Sequence, residues 1–420
     1  MQFQKHILKN GARLIVAPMK DTQTFTILVL FKVGSRYETK DINGISHYIE
    51  HLMFKGTKKR PNTLSISKEL DGYGAEYNAF TGKDYTGYYV KINAEKKEKA
   101  MEILSDMLNN SKFDEKELNR ERNVIIEEIH MYRDNPMMHI EDMIEMEIFG
   151  GSPLGWSIAG DEASMGKIGR KEIMEYHSKQ YIPKNTVVIM AGNMNGADPQ
   201  AMAERYFGIA KSADAMTDFP KFPGKFSQKI KLEYKDTGQF QLALAFPGLK
   251  YKDPMMPALN LLCNILGGTM SSRLFIKVRE RKGLAYFVRA ENSPYADTGA
   301  VVIRAGLNKG NLSLAIKTIL AELDDLKKKG VTAKELARAK DNIKGGTILG
   351  LEESSEIAGW LGRQELLKNE ILTLEESFAR LDKVTADDIG KLANQLFDIF
   401  KISAAIIGPL KDDSTIKKLL

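Results

Sequence analysis

Gly44-Ile45-Ser46-His47-Tyr48-Ile49-Glu50-His51-Leu52-Met53-Phe54 is the stretch from which the rest of the chain can be read. Its apolar residues Ile45, Ile49, Leu52 and Met53 recur at helical spacing with no proline among them, so a helix is expected. On that helix His47 and His51 leave the same face one turn apart, a spacing that lets two neutral imidazoles bind one metal ion. Glu50 borders that face, within reach of a metal-bound water. The order is the reverse of the commoner zinc helix, with Glu ahead of the second His instead of after the first.

At 420 residues the chain exceeds one ordinary domain, so two or more are expected. The composition, 43% hydrophobic and 28% charged, is that of a soluble globular protein with ample core. There is no run of eighteen apolar residues and hence no expected membrane span. Residues 1–11 lack the apolar core of a signal peptide and read as a strand and turn. Cys263 is the single cysteine, which excludes an intrachain disulfide and fits a reducing, cytoplasmic location. The net charge of +6 is a small excess for this length. Lys58-Lys59-Arg60 and Lys327-Lys328-Lys329 are short runs that read as solvated faces, so no nucleic-acid partner is expected.

Outward from the histidine helix, strands are expected at Arg13-Leu14-Ile15-Val16 and across residues 25–31, after a turn at Asn10-Gly11. Helices are expected over residues 64–70, 95–109 and 114–132, a strand pair led into by residues 72–81 and ending at 85–92, and a strand at 186–193. The second half echoes the first. Lys334-Glu335-Leu336-Ala337-Arg338 repeats Lys116-Glu117-Leu118-Asn119-Arg120 at an offset of 218. Ser403-Ala404-Ala405-Ile406-Ile407-Gly408 repeats Val187-Val188-Ile189-Met190-Ala191-Gly192 at 216, and Gly268-Thr269 repeats Gly56-Thr57 at 212. The expected fold is therefore α+β: two homologous domains, each a mostly antiparallel mixed sheet packed against several helices. The expected boundaries are an N-terminal metal-binding domain over 1–210, a linker over 211–226, rich in Lys, Asp, Ser, Pro and Gly, and a C-terminal domain over 227–420.

Two histidines need a third protein ligand if one position is kept for water. His6, His130, His139 and His177 are scattered on polar stretches and none is paired at ligand spacing. The helix over 114–132 is the better source. Glu121 and Glu128 are seven apart and share a face, whereas Glu127 lies about 100° from Glu128. At the repeat offsets Glu121, Glu127 and Glu128 map to Ala339, Gly345 and Gly346, while His47, Glu50 and His51 map to Leu259, Leu262 and Cys263. The second half keeps the scaffold without these polar groups, so they look added for chemistry.

The chain resembles the pitrilysin/insulinase/mitochondrial processing peptidase family of zinc metallopeptidases, the inverzincins, over nearly its whole length. The residues that carry the resemblance are His47-Tyr48-Ile49-Glu50-His51 with its flanks, where most members have Phe in place of Tyr48. The family's third ligand follows the second histidine with seventy-six residues between, which falls on Glu128, and its supporting glutamate falls on Glu121. Gly74-Ala75-Glu76-Tyr77-Asn78-Ala79-Phe80-Thr81 resembles the family's edge strand, implying that Asn78, Ala79 and Phe80 bind the substrate backbone. Arg279 and Tyr286 match the family's Arg/Tyr motif in the second half, implying contact with the substrate carbonyl.

The resemblance implies one Zn²⁺ per chain, held by His47, His51 and Glu128, with Glu50 as general base and peptides or unfolded polypeptides as substrate. Because both motifs lie on this chain and the processing peptidase's glycine-rich loop is reduced to Gly267-Gly268, a homodimer is implied, Arg279 and Tyr286 of one copy facing the metal ligands of the other in a closed chamber. The alternatives are a non-catalytic scaffold or partner subunit of the same family and a zinc hydrolase acting on a non-peptide substrate. Metal analysis of the purified protein separates the first alternative: about one zinc per chain, removed by chelator, is expected, and metal-free protein that takes up none would favour the scaffold.

Overall fold

The computed structural model describes residues 2–209 and 218–420. Residues 211–217 of the expected linker lie outside the described residues. The chain forms two compact units. One comprises Met1–Ile129, Ser157–Pro220 and Ile348–Thr373; the other comprises His130–Trp156, Lys221–Thr347 and Leu374–Leu420. Each is an α+β body built on one mixed sheet, as expected. The units are not contiguous stretches on either side of one boundary. Residues 130–156 of the first half belong to the second unit, and residues 348–373 of the second half belong to the first. The physical reason is that a sheet apolar on both faces needs helical cover on both.

The first sheet contains β1 (Gln4–Ile7), β2 (Arg13–Pro18), β3 (Thr24–Phe31), β4 (Glu76–Thr81), β5 (Thr86–Asn93) and β6 (Thr186–Gly192). Their order is β1-β2-β6-β3-β5-β4, with β2 and β6 parallel and the other neighbours antiparallel. β3 and β6 are central and buried on both faces, so they read as continuous apolar runs instead of alternating ones. Phe25, Ile27, Val29 and Phe31 turn to one core, shared with α1 (Ile45–Met53) and α3 (Lys97–Asn110). Leu28 and Leu30 turn to the other face, where Ile357, Ala358 and Leu361 of the helix Ser354–Arg363 cover them. The Ser354 hydroxyl meets Thr26 Oγ1 at 2.8 Å, seating that helix on the strand. α2 (Thr63–Gly72) precedes β4, and α4 (Glu115–Asp134) follows α3.

The second sheet contains β7 (Lys229–Tyr234), β8 (Gln239–Pro247), β9 (Ala285–Pro294), β10 (Gly299–Asn308) and β11 (Ser403–Gly408), ordered β7-β11-β8-β10-β9. The order and strand senses repeat those of β2-β6-β3-β5-β4, including the single parallel pair. α5 (Pro136–Ile148) covers one face, packing Ile140, Met143, Ile144 and Ile148 against Ala243, Ala245, Ala405 and Ile407. The repeat read from three short echoes is thus a repeat of topology. The second-half counterparts of the histidine-helix residues, Leu259, Leu262 and Cys263, are buried in the core of their unit.

The helix Ser354–Arg363 approaches the first sheet closely at Gly362. A Cβ there would lie 2.8 Å from both Ile189 Cδ1 and Leu30 Cδ1, the ends of two fully buried side chains. Gly362→Val is expected to lower the unfolding free energy by about 1–3 kcal/mol through overpacking, measured by urea denaturation. An unchanged midpoint would mean that this helix does not pack on the sheet as described.

Candidate metal centre

The histidine helix starts without a side-chain cap of its own. Gly44 occupies the cap position with φ +97, where a Cβ would come within 2.5 Å of Ala159 O, so no capping Ser, Thr, Asp or Asn fits. A remote carboxylate does the work. Glu38, 2% exposed, accepts from Gly44 N at 2.7 Å, Ser46 N at 2.9 Å and Asn43 Nδ2 at 3.0 Å. A negative group at a helix N-terminus is also favoured by the helix dipole. Burial pushes the Glu38 carboxyl up to about 7, against those hydrogen bonds. Ser46 Oγ meets Tyr176 OH at 2.9 Å. Further along, the fully buried Tyr48 donates its hydroxyl to Leu118 O on α4. Tyr48, the departure from the family's usual Phe, therefore ties α1 to the helix that bears the glutamates.

With α1 held in this way, His47, His51 and Glu128 converge. They are the one group of three or more His, Cys, Asp or Glu among the described residues that could hold a metal ion. Glu128 Oε2 lies 3.7 Å from His47 Nε2 and 3.6 Å from His51 Nε2. The two rings are 4.7 Å apart and inclined at 73°, edge to face instead of stacked. Glu127, left open by sequence periodicity alone, is not in the group. Glu121 sits behind: its Oε2 is 3.1 Å from His51 Nδ1, and its Oε1 is 2.8 Å from Lys55 Nζ. Burial would raise Glu121, but the hydrogen bonds from His51 and Lys55 outweigh it and hold the carboxyl below its usual range.

The donor set suits zinc. Bonds of about 2.0–2.1 Å in a tetrahedral site place donor atoms about 3.3–3.4 Å apart, and the separations at Glu128 need close by only a few tenths of an ångström. Burial, reinforced by the neighbouring His51, drives the pKa of His47 down to about 3, which keeps its ring neutral and its lone pair free. His47 Nδ1 is sealed from solvent with no hydrogen-bond partner among the described residues. With His51 Nδ1–H donating to Glu121, the His51 Nε2 lone pair faces Glu128, the usual arrangement behind a metal-ligating imidazole. Burial raises the Glu128 carboxyl, with His51 opposing. The fit extends to Glu50, whose carboxyl burial also raises, against a hydrogen bond from the Thr81 hydroxyl.

Asn78, Ala79 and Phe80 lie on β4, which pairs only with β5 among the described strands and so presents an open edge. Asn78 Oδ1 accepts from Ala79 N at 2.9 Å. Phe80 is 37% exposed. Arg279 and Tyr286 belong to the second unit: the Arg279 guanidinium lies 4.7 Å over the Phe275 ring, and Tyr286, the second residue of β9, has 57% of its surface exposed. Of the remaining histidines, His139 meets Glu233 at 3.0 Å, while His177 lies between the rings of Phe113 and Tyr181. Burial pushes His177 down to about 4, as suits a ring packed between two others.

Sequence reasoning missed Glu38, Thr81 and Lys55. A signal for Glu38 existed: a helix opening on glycine leaves amides that need an acceptor from elsewhere. Glu121→Ala removes the acceptor of His51 Nδ1 and is expected to weaken zinc retention about 10- to 100-fold, measured by competition with a chromogenic chelator. Retention equal to the unsubstituted protein would mean that Glu121 does not orient His51.

Comparison with known proteins gives the family. Residues 14–162 match the model of the insulinase family, peptidase family M16, and residues 167–343 match the model described as the peptidase M16 inactive domain. A Bacillus subtilis chain named as an uncharacterized zinc protease, YmxG, is 36% identical over 395 residues, covering 94% of this chain and 96% of that one. A Streptomyces coelicolor chain, also named as an uncharacterized zinc protease, is 34% identical and covers 96% of this chain and 89% of its own. The crystal structure of a protease from Helicobacter pylori superposes with a TM-score of 0.91 at 27% identity, covering 97% of this chain and 99% of that one. On fold, repeat and relatives together, the chain belongs to peptidase family M16.

Proposed function

We propose that the protein is a zinc-dependent endopeptidase acting on peptides or unstructured polypeptides. The observation that carries the reading is the convergence of His47, His51 and Glu128 beside Glu50 and the open edge of β4. His47, His51 and Glu128 would hold a zinc ion, which when bound would supply a Lewis acid for the scissile carbonyl and lower the pKa of a water. The chain's own residues do the rest. His51, steadied by Glu121, and His47, kept neutral by burial, present lone pairs from one helix face. The open edge of β4 receives the peptide as an added strand, with backbone hydrogen bonds at Ala79 and Asn78 and contact at Phe80. Glu50 takes the proton of the attacking water and delivers it to the leaving amine. Its burial favours this work, because a carboxylate raised towards the operating pH is the stronger base.

The oxyanion needs donors as well as the metal. In this reading Arg279 and Tyr286 supply them, brought to the ligands of one chain by a second copy in a homodimer that encloses the substrate. The support is their seven-residue spacing on the same chain and the exposure of the Tyr286 ring. Such a chamber admits extended chains and excludes folded ones. The relatives' printed names as zinc proteases support the peptidase class.

Glu50→Gln keeps size and polarity but removes the base. Cleavage of a fluorogenic peptide is expected to fall at least about a thousandfold while zinc per chain is unchanged, read by rate assay and elemental analysis. Turnover that survives the substitution would show that Glu50 is not the base.

A further inference from the structure

The strand assigned to substrate binding also carries the residue that holds the base. Successive residues of β4 turn to opposite faces of the sheet. Tyr77 stacks on Phe54 beside α1, and Thr81 reaches Glu50 on α1, so Tyr77, Ala79 and Thr81 share the face turned to the metal ligands. Glu76 lies on the other face, where Tyr89 OH donates to it at 3.1 Å. Thr81 is thus two residues along from Ala79 and on the same face.

Among the described residues, the Thr81 hydroxyl is the hydrogen-bond donor to the Glu50 carboxylate, at Oε2. The apolar backing of the site includes the buried Tyr88, whose hydroxyl faces that of Tyr181 at 3.4 Å. A glutamate has three rotatable bonds and swings freely unless something holds its head. A single donor at Oε2 fixes the plane of the carboxylate and leaves Oε1 to accept a proton. General-base catalysis depends on this, because the base must lie within hydrogen-bond reach of the proton it removes.

We propose that Thr81 is a positioning residue for the reaction: its hydroxyl aims the Glu50 carboxylate, and because it sits on the same strand as Ala79, the peptide-binding edge and the base are fixed by one piece of backbone. The proposal rests on the peptidase reading above. It differs from a purely structural role in what it requires. Loss of the hydroxyl should slow the chemical step without weakening substrate or metal binding, and a serine, which keeps the hydroxyl and loses only a methyl group, should restore the rate.

The test compares the unsubstituted protein with Thr81→Val and Thr81→Ser, with Thr81→Ala alongside should the valine fail to fold. The readouts are kcat and KM on a fluorogenic peptide, zinc per chain, and peptide affinity by fluorescence anisotropy in the inactive Glu50→Gln background. Thr81→Val is expected to lower kcat by about 10- to 100-fold, the scale of a catalytic group misplaced by an ångström, with KM, zinc content and anisotropy affinity unchanged. Thr81→Ser is expected to stay within about threefold of the unsubstituted kcat. A Thr81→Val enzyme at full kcat overturns the proposal. So does a loss that serine fails to restore, or one that appears as lost zinc or raised KM. If the unsubstituted, zinc-loaded protein cleaves no peptide, the peptidase reading falls and takes this proposal with it. If it cleaves and the Thr81 variants match it, only this proposal falls.

Discussion

Everything at the candidate site depends on how α1 is seated against α4. Two imidazoles on one helix and a carboxylate on another meet within bonding range of one ion only if both helices are held in register, and the errors tolerated are fractions of an ångström. The chain secures this at three points. Glu38 holds the first amides of α1, the Tyr48 hydroxyl ties its middle to Leu118, and Glu121 takes His51 from behind. Ile45, Ile49, Leu52 and Met53 then anchor the opposite face in the core. Three of the groups doing this work are polar and largely buried, each satisfied by a named partner, as buried polar groups must be.

The sheet supplies the second constraint. Its order puts β4 at the edge, and one face of that strand turns to α1, so the same strand offers an open edge for pairing and side chains to the helix. An open edge is a liability in an ordinary sheet because it invites unwanted pairing. Here the Asn78 side chain already accepts from the Ala79 amide, which blunts the edge. The second unit carries the same sheet with leucine and cysteine where the first has its histidines and Glu50. Duplication thus separates scaffold from chemistry: the helix and sheet persist in both copies, and the polar groups that the fold does not need occur in one.

Local pattern made much of this legible. The apolar period around His47 and His51 gave the helix its place, and the seven-residue step from Glu121 to Glu128 put both on one face, which is where they are found. Three short echoes revealed a repeat that proves to be one of strand order. What stayed hidden depends on partners distant in sequence. Glu38 reads as one more surface acid until Gly44 and Ser46 are seen to lack another acceptor. Thr81 reads as a strand residue until the sheet edge meets α1. The helices Ser354–Arg363 and Pro136–Ile148 cover the sheet of the other half, because the faces they bury are apolar and no local sequence states which sheet they complete.

The central claim is that these side chains form a zinc-dependent peptide hydrolase. The most direct measurement is mass spectrometry of a mixed peptide library incubated with the purified protein, with and without a chelator. The account predicts new internal cleavage products that vanish with chelator and return when zinc is restored. An intact library, with zinc bound at one per chain, would contradict it.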